Sequence, residues 1–296
     1  ARHTVYAAPR MVWLSNLVGG LMFGFGMVLA SGCGSKTLVR IGGGNLKALF
    51  VFAVLGLSSY ATLRGLTAVW RVNTVDAVAV TLAPGQDLPS LVAAATGLAR
   101  PTLALLLGGG IGLALVAFAL ARPQGRSGEV LLGGLGIGAV VAAVWWVSGR
   151  LGYVAEHPVT LEATFLATNT RSMESLTFVA PVAYALDWLI LYSDANKVLT
   201  LGIVSVAGVI AGSGVMALAT RRFRWEGFAG VEDTANHLVG AMLMGVGGVT
   251  AVGCTIGQGL SGVSTLALGS FVALAAIMAG AVLALRWQVW RLEASL

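Results

Sequence analysis

Apolar runs near the length of a membrane-crossing helix, about 20 residues, alternate along this chain with short polar or glycine-rich stretches. Spans are expected at residues 11–30, 47–65, 101–121, 130–149, 198–219, 237–252 and 264–285. Residues 66–100, with Arg71, Asp76, Pro84 and Asp87, read as surface or interfacial structure. Residues 150–175 are polar, including Glu156, His157, Asn169, Arg171 and Glu174. The run 176–192 is short and broken by Pro181 and Asp187, so it reads as re-entrant or interfacial. The two most basic loops are RPQGR after residue 121 and RRFR after residue 220. Placing both in the cytoplasm requires an even number of crossings between them, which leaves seven crossings in the chain.

Composition supports that reading. Charged residues make up 10% of the 296, against roughly 25% in a soluble domain. Glycine supplies 41 residues, about twice the usual share. In apolar segments it lets helices approach closely and break where protein or water covers the break. The net charge of +6 sits mainly between apolar runs, as orientation signals require, and no aromatic-basic pattern points to nucleic acid. Two cysteines exclude a disulfide framework, and three histidines make a metal site an unpromising reading. The chain opens at Ala1 with the polar stretch ARHTVYAAPR and is read as truncated upstream, with no visible signal sequence.

Setting Cys33 on Cys254 exposes a duplication. At that offset of 221 residues, nine of eighteen positions match between 16–33 and 237–254, four of them glycines and the last pair a shared Gly-Cys. The orientation sends residues 11–30 toward the cytoplasm and 237–252 away from it, so the repeats are expected to be inverted. The fold class read from this is an all-α integral membrane protein, a polytopic helix bundle with an inverted internal repeat and re-entrant Gly-Cys segments. Its parts are a polar N-terminal segment 1–10, a first repeat half 11–121, a connecting region 122–197, and a second repeat half 198–296.

Chemistry concentrates after the two helices. The first motif runs Gly32, Cys33, Gly34, Ser35, Lys36, Thr37 and on to Arg40; the second runs Gly253, Cys254, Thr255, Ile256, Gly257, Gln258. A helix broken there exposes backbone N–H groups at a new N-terminus carrying about +0.5 charge, which suits an anion. Lys36 and Arg40 add cationic charge in the first motif; the second relies on N–H groups, hydroxyls and Gln258. A lone buried cysteine is usually just a small apolar residue. Two at equivalent repeat positions suggest neutral thiols lining a path, unlinked because inverted repeats place them toward opposite sides. The run from Ala30 to Thr37 imitates a phosphate-binding loop, but Ser35 stands where glycine must precede the lysine. Asn169 to Glu174 reads equally as a vestibule lining or a solvated loop. Asp187 reads as functional, paired or simply wet, and Trp145 and Trp146 as lipid-facing or packing residues.

The segments GFGMVLASGCGSKTLVRIGGGNLKALFVF and NHLVGAMLMGVGGVTAVGCTIGQGLSGVSTLALGS resemble the YeeE/YedE, or sulphur transport, family of membrane proteins. NTRSMESLTFVAPVAYALDW and RRFRWEGFAGVEDTANHLVG resemble its YedE-like branch. The resemblance implies uptake of thiosulfate or a related sulfur anion across the bacterial inner membrane. It also implies an hourglass-shaped bundle with cysteines on the central path, here Cys33 and Cys254, and no cofactor. It suggests a cytoplasmic TusA-like sulfur-carrier protein as partner, and a selenium compound as an alternative cargo. Family members commonly carry further N-terminal spans with another cysteine motif, which this sequence lacks. Two other functions stand beside transport: a membrane sulfurtransferase carrying a persulfide on one cysteine, and a scaffold subunit that recruits a sulfur carrier.

Overall fold

A computed structural model of the chain describes residues 3–156, 161–194 and 197–294, and His157 falls outside them. Among the described residues the fold is eleven α-helices with two minimal β-ladders. The order is α1 (Trp13–Leu29), α2 (Gly34–Gly42), α3 (Leu46–Arg64), α4 (Leu66–Asn73), α5 (Leu88–Thr96) and α6 (Arg100–Ala121). Then come α7 (Gly128–Trp146), α8 (Ala180–Ile190), α9 (Leu201–Ala219), α10 (Val231–Thr250) and α11 (Leu268–Glu293). Side-chain caps explain several starts: Asn45 accepts the Ala48 N–H at 2.8 Å to open α3, and Asp87 accepts the Ser90 N–H at 3.2 Å to open α5.

Among the described residues, six helical stretches are long and apolar enough to cross a membrane: Trp13–Gly42, Leu46–Arg64, Arg100–Ala121, Gly128–Leu151, Leu201–Ala219 and Leu268–Glu293. The chain is a multi-pass membrane protein. Residues 237–252, expected as a seventh span, belong to α10, which starts at Val231 and carries Glu232 and Asp233 in its first turn. This helix does not need an apolar surface, because it lies between α1 and α3 with most of its glycines buried. Residues 176–192 hold α8, whose eleven residues span about 16 Å, half of the roughly 30 Å hydrocarbon core. The 66–100 stretch, read as surface or interfacial structure, contributes the short helices α4 and α5, and α4 exposes Leu66, Val69 and Trp70.

The core is a row of four helices, α11, α1, α10 and α3, and α8 packs on the outer face of α3. Lipid tails are as apolar as leucine, so burial alone does not drive membrane helices together; close backbone packing does. Glycines supply it here. A Cβ on Gly19 would lie 2.7 Å from the Gly247 carbonyl, and one on Gly26 would lie 2.6 Å from the Gly240 carbonyl. These contacts run in opposite directions along the two helices, so α1 and α10 are antiparallel. Likewise a Cβ on Gly24 would lie 2.0 Å from the Ile277 carbonyl of α11, and one on Gly245 would lie 2.7 Å from the Leu55 carbonyl of α3. By contrast α6 and α7 bury one residue each, Leu103 and Val141, and stand out from the row.

Candidate functional site

Both helices that precede a Gly-Cys motif end in the same way. Gly32 N–H bonds the Met27 carbonyl at 2.8 Å and Ser31 N–H bonds Val28 at 3.1 Å; Gly253 bonds Gly248 at 2.8 Å and Val252 bonds Val249 at 3.1 Å. This is the Schellman closure, which satisfies carbonyls left open at a helix end by one left-handed residue. Each cysteine then begins a new helical segment: Thr37 N–H bonds the Cys33 carbonyl at 3.0 Å, and Gln258 N–H bonds the Cys254 carbonyl at 2.7 Å. The second segment winds into a π-helical turn, Gly257–Gly262.

The two motifs meet on the extended residues that precede α8. The Cys254 thiol is fully buried, 3.8 Å from Thr177 Oγ1, and accepts the Gly257 N–H at 3.4 Å. Gly34 lies against the Phe178 carbonyl, 3.3 Å from where its Cβ would be. The half-buried Cys33 thiol is 3.2 Å from Ser35 Oγ, beside Thr255 and near the Cys254 thiol. The expectation that the cysteines lie toward opposite sides is therefore corrected. Each chain reverses after its glycine turn, and the reversal carries both motifs back toward Phe178. Both thiols are free.

The remaining motif residues divide by role. Thr37 Oγ1 donates to the Cys33 carbonyl at 3.1 Å and locks the turn. Lys36 is exposed and lies along Gly32, with Arg40 half-buried on the next turn. Gln258 is 2% exposed and its amide nitrogen donates to the Ala251 carbonyl, so it presents an oxygen to its surroundings instead of an anion-binding donor. Among weaker candidates, Asp187 is paired with Lys197 and accepts the Tyr60 hydroxyl at 2.8 Å. His237 pairs with Asp233, and no His, Cys or acidic cluster among the described residues fits a metal ion. Trp145 donates to Ser264 Oγ at 3.1 Å, and Trp146 is exposed.

Two cavities adjoin the second motif. One, of about 190 Å³, is lined by Tyr6, Arg71, Thr170, Glu174, Thr177 and Gly253, among others. The other, of about 200 Å³, is lined by Asn16, Gln86, Gln258 and Ser270 among its polar residues. Val5, Tyr6 and Val252 border both. Thr177 joins the first cavity to Cys254, and Arg71 brings a cation that is 3.0 Å from Asp76, with its Nε unpaired. Glu174 lies beneath Thr170, whose N–H and hydroxyl donate to it at 3.0 and 2.5 Å; burial nevertheless pushes its carboxyl above the usual range.

Sequence reasoning missed Tyr6 and Arg71. Residues 3–11 are not a free polar tail but a strap across the core. Met173 N–H bonds the His3 carbonyl at 2.8 Å, Gln86 holds the Ala8 carbonyl at 3.0 Å, and Arg10 and Met11 pair with Thr81 and Val80. An aromatic within so polar a segment was the one available signal.

The family model described as sulphur transport matches residues 3–283. The chain is 30% identical over 263 residues to the thiosulfate transporter TsuA of Escherichia coli strain K12, covering 86% of this chain and 69% of that protein. It is 29% identical over 271 residues to the thiosulfate transporter TsuA of Spirochaeta thermophila, covering 88% and 73%.

Proposed function

The chain belongs to the sulphur transport family, and on that premise we propose that it is a permease for thiosulfate or a closely related small sulfur anion. Its place is the bacterial inner membrane, with the loops at Pro123–Arg126 and residues 220–228 in the cytoplasm. A family of transport proteins leaves the membrane sulfurtransferase without support.

The observation that carries the reading is the meeting of two cysteine-started helical segments beneath a cavity that contains Arg71. An anion entering that cavity exchanges water for the Arg71 guanidinium and for the hydroxyls of Tyr6, Thr170 and Thr177. Below it, N–H groups at the starts of both segments face the two sulfurs and attract negative charge. Neutral thiols are weak, polarisable donors suited to a sulfur-bearing anion, and a thiolate would repel it. Cys254 followed by Cys33 forms the narrow part of the path, with Gly32, Gly34, Ser35, Lys36, Thr37, Gly253, Thr255 and Gly257 shaping its walls. The isologous glycine contacts of α1 and α10 support reading the two halves as inverted repeats around this point.

A dianion crossing 100 mV of inside-negative potential works against about 4.6 kcal/mol, at about 2.3 kcal/mol per charge. Consumption of the anion inside, or entry with cations, has to offset that. A TusA-like carrier docking on the exposed Arg221, Arg222 and Trp225 would serve consumption.

The test is uptake of radiolabelled thiosulfate into proteoliposomes containing only this protein, with selenium oxyanions as competitors. Cys33→Ala and Cys254→Ala each reduce uptake at least tenfold at equal protein level. Unchanged uptake in both removes the thiols from the mechanism.

A further inference from the structure

The second cavity lies where α1 meets α11 and the π-helical turn, and its polar lining is unusual. Asn16 is 4% exposed, Gln258 2% and Ser270 2%. Asn16 Oδ1, Gln258 Oε1 and Ser270 Oγ nonetheless have no hydrogen-bond partner among the described residues. Buried polar atoms are nearly always paired, so three unpaired oxygens around one cavity require an explanation.

Their chemistry is one-sided. Gln258 is oriented by its amide nitrogen on the Ala251 carbonyl, which leaves the carbonyl end facing the space. Gln86 is oriented likewise: its nitrogen donates to the Ala8 carbonyl at 3.0 Å, and its oxygen accepts the Gly269 N–H at 3.2 Å. Two glycines keep the space open. A Cβ on Gly262 would stand 2.3 Å from Ser270 Oγ and 2.9 Å from Gln258 Oε1. One on Gly269 would stand 2.7 Å from both Asn16 Nδ2 and Gln86 Oε1.

We propose that Asn16, Gln258 and Ser270 bind a monovalent cation, sodium, that enters together with the anion. Amide and hydroxyl oxygens are the ligands hard cations take. No carboxylate lines the cavity, which disfavours a divalent ion, and none of the three side chains titrates, which disfavours a proton carrier. An anion would face two carbonyl oxygens. Arg10 also lines the cavity, but its side chain is exposed and its guanidinium donates outward to the Asp76 carbonyl at 2.8 Å. The cavity has room for waters to complete the coordination shell. Because the three ligands come from α1, α11 and the π-helical turn, an ion there ties the second motif to both helices. The coupling rests on the transport reading; the binding site does not.

The experiment has two arms on the purified full chain. In the first, binding of radioactive sodium is measured without thiosulfate, with unlabelled sodium, potassium and choline as competitors. Wild type binds sodium and releases it to unlabelled sodium. Ser270→Ala weakens binding at least tenfold, while Asn16→Asp tightens it, a gain that misfolding does not produce. In the second, an inward sodium gradient raises thiosulfate uptake several-fold over choline in wild type and not in Ser270→Ala. Sodium binding that is absent, or equal in wild type and Ser270→Ala, overturns the site and leaves only water there. Binding with sodium-independent uptake overturns the coupling. Binding without uptake under any condition keeps the site and instead overturns the transport reading.

Discussion

Ser31 and Val252 share one left-handed backbone conformation, with φ of 58° and 59°. They occupy matched positions, each directly before a Gly-Cys pair, and each closes the same pattern of helix-end hydrogen bonds. The conformation is unfavourable for any side chain and most so for a β-branched one. Val252 also borders both cavities, so strain and site coincide.

Replacing Val252 by glycine should therefore relieve strain. Val252→Gly is expected to stabilise the purified protein by about 1 kcal/mol, seen as a higher thermal midpoint in detergent. A lower midpoint would show that the valine side chain contributes more by packing than its backbone loses.

The glycines between helices predict the opposite sign. Gly24→Ala places a methyl 2.0 Å from the Ile277 carbonyl and should cost about 1–3 kcal/mol or prevent folding. Gly110→Ala on α6 meets nothing within 4 Å and should be neutral or slightly stabilising. Size-exclusion profiles and thermal midpoints of the two variants separate the cases.

The two thiols differ in access. Cys33 is half-buried and Cys254 is fully buried, so a small maleimide should modify Cys33 in the folded protein and reach Cys254 only after denaturation. Peptide mass spectrometry before and after unfolding checks this. Equal labelling in the native protein would mean that Cys254 is open to solvent.

Arg71 should govern affinity for the anion. A hydrogen bond to a charged group contributes about 1.5–3 kcal/mol, so Arg71→Ala should raise the half-saturating concentration roughly tenfold or more with little change at saturation. A loss confined to the maximal rate would place Arg71 outside the entry step.

Glu174 gives a pH dependence. Burial raises its carboxyl pKa, so the folded chain holds this proton more tightly than the unfolded chain does. Its contribution to stability is present at pH below the unfolded value and is lost as pH rises through the higher folded value. Uptake should follow the same direction, rising as pH falls and the charge facing an incoming anion disappears. Glu174→Gln should flatten the profile at its high plateau. A wild-type profile that falls on acidification would contradict this.

Much of the fold was legible in the sequence because membrane helices announce themselves locally. The expected span 47–65 is α3, Leu46–Arg64, and 101–121 is α6, Arg100–Ala121. The shared Gly-Cys offset reappears as matched hydrogen bonds, since helix-end geometry is written in a few adjacent residues. What stayed hidden depends on distant partners. Tyr6 and Arg71 are ordinary interfacial residues until Thr177 and Gly253 arrive beside them. The start of α10 was placed six residues late, because its first turn is exposed and carries Glu232 and Asp233, paired with Arg291 and Lys47, so the helix begins before its apolar run does.

Helices α1 and α10 touch backbone to backbone, which leaves the middle of the molecule no slack to rock or slide. Whatever gating exists must be small and local, a turning of side chains around Phe178 and a flexing of the π-helical turn.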